Sequence, residues 1–299
     1  MFQTRFRRAR FGCALALALL GGRAKAEPLP DSTRSVDPAS KGATDVGSSG
    51  FQNVERAAAE DKDTEELEVA AGGLIASGNA RQVALTGSSK FKLRRDVNQL
   101  RAAAALNYAR AATADDEEAG LVETVSNVQG LLRYDFFFAE HWALFTAVTA
   151  RRDRFQGLDL RLNVDPGVAY YIVDRPKQQL WVEAGYDFQY DVRRDENLDE
   201  ARAAGEPLDK TESRHSVRTF AGYDDKLNER VSFATGLEYI QSVQELDTYR
   251  LNWDASLTSN IAGRFSTAVS VSLKYDSQPL PGVEKLDIIS AFNLVYSLL

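Results

Sequence analysis

The chain is short of the residues that most chemistry needs. It has one cysteine, two histidines and one methionine in 299 residues. The cysteine, Cys13, falls in an N-terminal segment expected to be removed, so neither disulfides nor thiol chemistry are expected afterwards. No zinc-ligand spacing, glycine-rich phosphate loop or dinucleotide fingerprint occurs, and neither cofactor nor metal is expected. His215 and Ser216 are neighbours, but adjacent strand residues point to opposite faces. They therefore do not form a nucleophile–base pair with each other. His141, beside Trp142 at a short turn, reads as an interfacial polar residue. Long hydrophobic runs are also missing. The continuous apolar stretch at 11–20, "FGCALALALL", is too short for a spanning helix, and nothing after it approaches the eighteen or so residues such a helix needs.

What precedes and follows that stretch gives it a meaning. Arg5, Arg7, Arg8 and Arg10 make a basic lead, and "AKA" at 24–26 fits a cleavage site, so residues 1–26 read as a signal peptide cut between Ala26 and Glu27. Removing Arg5, Arg7, Arg8, Arg10, Arg23 and Lys25 from 36 basic residues leaves 30 against 43 acidic ones, a net of −13. That balance argues against nucleic acid as a partner, because phosphate contacts need Lys and Arg. Residues 27–65 are rich in Pro, Ser, Gly, Asp and Ala. They hold too few apolar side chains to offset ordering entropy and read as a disordered spacer, with an interaction tail as the alternative.

From residue 66 onward the pattern has period two. In "LWVEAGYDFQYDV" (180–192), Val182, Ala184, Tyr186, Phe188 and Tyr190 alternate with Glu183, Gly185, Asp187, Gln189 and Asp191. Similar alternation runs through Val231–Tyr239, Tyr249–Leu257, Phe265–Tyr275 and Ile288–Leu298. Each such run gives a strand one apolar and one polar face. About twelve segments can be drawn: 66–76, 81–94, 98–112, 121–137, 141–153, 158–173, 179–192, 213–224, 229–242, 247–260, 264–276 and 286–298. Many exceed the usual ~5–6 residues of soluble strands and suit the ~9–11 residues of a tilted strand crossing a bilayer. Short connections ("RDVN", "FAEH", "DRPKQ", "DKLNE", "IAGR") alternate with longer ones, the longest at 193–213. That is the rhythm of outer-membrane barrels, whose short turns face the periplasm.

The fold class expected is therefore all-β: a transmembrane antiparallel barrel of about twelve strands over 66–299, in the bacterial outer membrane. Barrel closure satisfies backbone groups that hydrocarbon would leave unpaired. Outer-membrane lipid and lipopolysaccharide are the expected surroundings. Tyr134, Trp142, Tyr171, Trp181, Tyr190, Tyr249 and Trp253 are expected in interfacial girdles. Pro166 lacks a ladder donor, so a bulge or bend is expected there. The acidic runs Asp115–Glu118 and Asp195, Glu196, Asp199, Glu200 are expected in outer loops. There they read as solvated charge, with lipopolysaccharide-bridging cations as the alternative. The lumen candidates are Arg101, Asn107, Arg133, Asp135, Arg161, Glu183, Asp187, Asp191, Arg218, Glu238, Arg250, Asp254 and Lys274. Two uses remain open for them: an ion-pair network that fills the barrel, or the charged wall of a narrow pore.

Several stretches carry a family likeness. They are "GGLIASGNARQVALTGSSKFKLRR", "YDFFFAEHWALFTAVTARRDRFQGLDLRLNVDPGVAYYIV", "LWVEAGYDFQYDVRR" and "LKYDSQPLPGVEKLDIISAFNLVYSLL". Their order over 67–299 resembles the bacterial outer-membrane family called domain of unknown function 481, also described as salt-induced outer-membrane proteins. The resemblance implies a single barrel in a Gram-negative outer membrane and brings no reaction with it. The chain departs from the family's "GxGY" with "DPGVAY" at 165–170. It also ends on Leu298-Leu299, where outer-membrane barrels usually present an aromatic to the barrel assembly machinery; Phe292 and Tyr296 keep the alternation.

The function expected is a non-catalytic envelope barrel, with a narrow pore for small solutes or ions as its most concrete form. The alternatives are an outer-membrane phospholipase-like hydrolase and a surface adhesion or receptor barrel carried by the longest loop. The signal-peptide reading has a direct check. Intact-mass measurement of protein purified from envelopes should find Glu27 as the first residue; a chain retaining residues 1–26 would refute it.

Overall fold

A computed structural model describes residues 63–76, 82–112, 120–175, 177–203, 205, 207–279 and 285–298. The expected cleavage site at Ala26–Glu27, the spacer up to residue 62, and the acids Asp115, Asp116, Glu117 and Glu118 lie outside these residues.

Twelve strands close into one antiparallel barrel in simple sequence order. They are β1 (Asp63–Ala76), β2 (Gln82–Arg95), β3 (Asn98–Ala111), β4 (Val122–Ala139), β5 (Trp142–Asp153), β6 (Leu158–Arg175), β7 (Gln178–Arg193), β8 (Thr211–Lys226), β9 (Val231–Ser242), β10 (Tyr249–Ala262), β11 (Phe265–Asp276) and β12 (Leu286–Ser297). The first begins at Asp63 rather than at 66. Closure runs through β1 and β12, from Glu68↔Ser297 to Ala71↔Leu294. Every strand is thereby paired on both sides, which removes the exposed edges of an open sheet.

Period two separates the side chains cleanly. On β4, Leu132, Tyr134, Phe136 and Phe138 are exposed, while Leu131, Arg133, Asp135 and Phe137 are buried. The outer face is apolar around the barrel: Leu106, Leu144, Val148, Val217, Leu237, Leu257, Val269 and Leu294 are all exposed. An apolar outer face of this extent is what hydrocarbon requires, and far more than monomeric soluble proteins expose.

Three expectations need correction. Tyr171 and Trp181 are not girdle residues; both are buried inside, in a cluster with Phe137, Phe145 and Phe220. Trp181 shares odd parity with Glu183 and so shares its face. Tyr134, Trp142 and Trp253 do lie exposed on the outer face. Pro166 shifts no register, but the β6–β7 pairing is interrupted there, passing from Val164↔Phe188 directly to Gly167↔Gly185. The shifts in β6 pairing fall at Leu158/Leu160 and Tyr171/Val173 on the β7 side and at Arg151/Asp153 on the β5 side. The connection after β7 is not all loop, for it holds helix α1 (Asp195–Ala203). Asp195 and Glu196 occupy its first turn, where carboxylates suit the helix dipole. Lys210 donates to Asp195 at 2.6 Å and Arg194 to Glu196 at 2.8 Å. Arg194's hydrogen bond holds the Glu196 carboxyl below its ordinary range.

Inside, two aromatic rings lie on glycines directly opposite them in the ladder. Phe145 pairs with Gly167 and Trp181 with Gly222. A Cβ on Gly167 would sit 2.5 Å from Phe145 Cζ, and one on Gly222 would overlap the Trp181 indole. The missing side chains are what let the rings lie flat against the wall. Gly222→Leu should therefore displace Trp181 and lower the denaturant midpoint of the refolded barrel, with loss of Trp181's blue-shifted fluorescence. The outward-facing change Ala221→Leu should leave both unchanged.

Candidate functional site

The inner face is where polar chemistry gathers. Arg101 donates to Asp135 through Nε at 3.2 Å and Nη2 at 2.9 Å. Arg133 donates Nε to the same carboxylate at 2.9 Å and reaches Glu183 through Nη1 at 3.1 Å. Glu183 also accepts from Arg218 Nη1 at 2.8 Å and from Trp181 Nε1 at 3.2 Å. Arg218 Nε donates to Glu238 at 2.6 Å, and Asn252 Nδ2 donates to Glu238's other oxygen at 2.8 Å. One unbroken chain of charge-assisted bonds thus joins strands β3, β4, β7, β8, β9 and β10. Arg133, Asp135, Arg218 and Glu238 are at most 2 % exposed. The guanidinium of Arg133 lies 4.0 Å from the centre of the Phe145 ring, whose π-face adds to its stabilisation.

A second group lies nearer the long loops. Arg161 grips Asp191 with two bonds, of 2.8 and 2.6 Å, and Gln189 donates to Asp191 at 2.9 Å. Asn163 donates to Asp187 at 3.0 Å. Asn107 donates to Asn127 at 2.8 Å on the neighbouring wall.

The barrel wall is not uniform. Strands β3–β9 carry these buried charges. Strands β10 and β11 mix Ser256, Thr258, Ser266, Ser270 and Ser272, all half-exposed, with Arg250, Asp254, Lys274 and Asp276 on their inner register. Ser256 faces Ser270 and Asp254 faces Ser272 across this ladder. Small hydroxyl side chains fill less of the interior than arginines do.

The chain belongs to a known family. Its sequence matches the model of "Protein of unknown function, DUF481" over residues 69–298. No curated protein matches it. Solved barrels that align with it include the NanC porin, at 10 % identity and TM-score 0.46 over 79 % of this chain and 99 % of that one. The KdgM porin in complex with disordered oligogalacturonate aligns at 10 % identity and TM-score 0.41, over 79 % and 100 %. The translocator domain of autotransporter NalP from Neisseria meningitidis aligns at 11 % and 0.40, over 83 % and 90 %.

In this family member, the sequence-expected residues fall as follows. Arg101, Asn107, Arg133, Asp135, Glu183, Asp187, Asp191, Arg218, Glu238 and Asp254 are buried on the inner face. Arg161 joins them through Asp191, while Arg250 and Lys274 stand on the inner register opposite Asp276 and Asn252 and are half-exposed. Sequence reasoning missed Lys92, which is fully buried and bridged to Glu66 at 3.0 Å, and Asp165, which is 7 % exposed. Both have the parity of their strands' inner positions, and that parity was the signal available. His215 lies on the outer register opposite Phe188, hydrogen-bonded to the Tyr186 hydroxyl, while Ser216 is buried inside. The two point to opposite sides of the wall.

Removing Arg133 would leave Asp135 with Arg101 alone and Glu183 with Arg218 alone in a buried setting. Each carboxylate keeps one counter-charge, so the cost is expected to fall below the ~3–5 kcal/mol of a buried pair broken outright. Arg133→Met should shift the urea midpoint of the refolded barrel down accordingly, and an unchanged midpoint would show that the network carries no stability.

Proposed function

We propose that this is a non-catalytic outer-membrane barrel with a narrow, off-centre pore for small solutes or ions. The observation that carries the reading is the division of the inner wall. The paired charges of β3–β9 occupy one side as rigid filling, and on β10 and β11 half-exposed hydroxyls stand among Arg250, Asp254 and Lys274 and fill less of the other side. Twelve strands lie between barrels filled by their own side chains and the open 16–18-stranded channels. A partly filled lumen suits that size. In this reading the short turns face the periplasm, and the apolar belt meets lipid and lipopolysaccharide. The salt-induced description attached to the family is compatible with a conduit for small ions. A hydrolase of the phospholipase type is disfavoured by the placement of His215 and Ser216 on opposite faces.

The test is conductance in planar bilayers, after a heat-modifiability check of folding. Discrete steps are expected. Ser256→Tyr with Ser270→Tyr should cut the step size, because both rings would enter the less filled side. Leu257→Phe, on the lipid side, should leave it unchanged. A folded barrel with no steps would sink the reading and leave a filled, structural barrel.

A further inference from the structure

We propose that the lipid-facing side of β3, β4 and β5 carries a docking site for the phosphates of an outer-leaflet glycolipid, made by Arg110, Arg152 and Arg154. The inference uses the reading that the long connections face outward. It does not use the pore, so a barrel without conductance leaves it standing.

The three arginines stand at one rim of the barrel. Arg110 is the last residue but one of β3, Arg152 the last but one of β5, and Arg154 follows β5 directly. Arg110 has the parity of Leu106 and Tyr108, and Arg152 that of Leu144 and Val148, all of which point out of the barrel. Arg152 lies opposite Val128 of β4, and Arg110 opposite Glu123 of the same strand. The Arg154 amide donates to the Ser126 carbonyl, between those two levels, at 3.1 Å. All three side chains are exposed. Neighbouring strands are about 4.8 Å apart, so long side chains on β3 and β5 can converge on one headgroup across β4.

Most of this charge has no partner in the protein. Arg154 donates to Glu123 at 3.0 Å and lies in the field of Glu196, which Arg194 already binds at 2.8 Å. Asp159 is held by Arg194 and Lys210. Arg151 and Asp153 bond to each other on the inner face. Arg110 and Arg152 make no hydrogen bond or ion pair with a described residue. Three arginines therefore face one carboxylate, Glu123, in a chain whose net charge is −7.

Across the barrel the same rim is aromatic. Tyr239, Tyr249 and Tyr275 form a row over β9, β10 and β11, with ring centres 6.0 and 5.7 Å apart. Tyrosines in such a girdle lie at the level of the lipid headgroups. At that level β3–β5 present arginines instead. Beside and below them Leu106, Val128 and Val148 are exposed for acyl chains. A ligand with an anionic head and hydrocarbon tails matches both features. Arginine's planar fork takes phosphate oxygens two at a time, which makes lipid phosphate the fitting head.

The test is native mass spectrometry of the refolded protein, after a heat-modifiability check. It is titrated with lipid A carrying two phosphates, with the same lipid dephosphorylated, and with phosphatidylglycerol. Wild type should hold the bisphosphorylated lipid most tightly. Arg110→Gln with Arg152→Gln removes no bond within the described residues and should fold. It should weaken that binding about tenfold, the size of one lost charged hydrogen bond, and leave the dephosphorylated lipid unchanged. Arg230→Gln, in the short β8–β9 turn at the opposite rim, should change neither. Equal binding with and without phosphate would overturn the site. So would indifference to the double substitution, the result expected if Asp115, Asp116, Glu117 and Glu118 neutralised the arginines. Phosphatidylglycerol held as tightly, or displacement of lipid A by excess inorganic phosphate, would overturn the glycolipid assignment.

Discussion

Glu183 is the point through which the inside of this barrel is tied together. It accepts from Arg133 and Arg218, and each of those arginines reaches a further carboxylate, Asp135 or Glu238. A charge taken out of water is tolerable only when it is paired and hydrogen-bonded. Six charged side chains on five strands satisfy one another in this way, and each fixes the rotamers of the next. The apolar floor made by Phe145, Tyr171, Trp181 and Phe220 lies against the same chain, with Trp181 donating its indole hydrogen to Glu183.

That arrangement concentrates the buried ion pairs on strands β3–β9. Arginine is long and reaches toward the axis. Serine and threonine on β10 and β11 do not. The glycines beneath Phe145 and Trp181 serve the same asymmetry, since they let large rings lie on the wall instead of standing across the lumen.

Much of the fold could be read in the sequence because a strand's side chains alternate without exception, and a bilayer demands that one face be apolar. Strand number, order and approximate ends followed from this. So did the inner placement of Arg133, Glu183 and Asp254. The errors came where parity was set aside for residue type. Trp181 and Tyr171 were expected at the interface because aromatics favour it, yet their parity is that of the inner face. Pro166 was expected to bulge or bend its strand; it interrupts the pairing with β7 without shifting the register, and the shifts occur near strand ends. Helix α1 was hidden because a nine-residue helix with acids in its first turn looks like any charged loop.

By itself the sequence determined which residues face inward, since that depends only on period and on the demands of hydrocarbon. It could not determine which inward residues meet. Arg133 and Glu183 are fifty positions apart and three strands removed from each other, yet they bond across the interior. Which carboxylates find an arginine, and which, like Asp165, do not, depends on the stagger of the strands around the closed barrel. Stagger is a property of all twelve ladders together, so only the tertiary structure decides it.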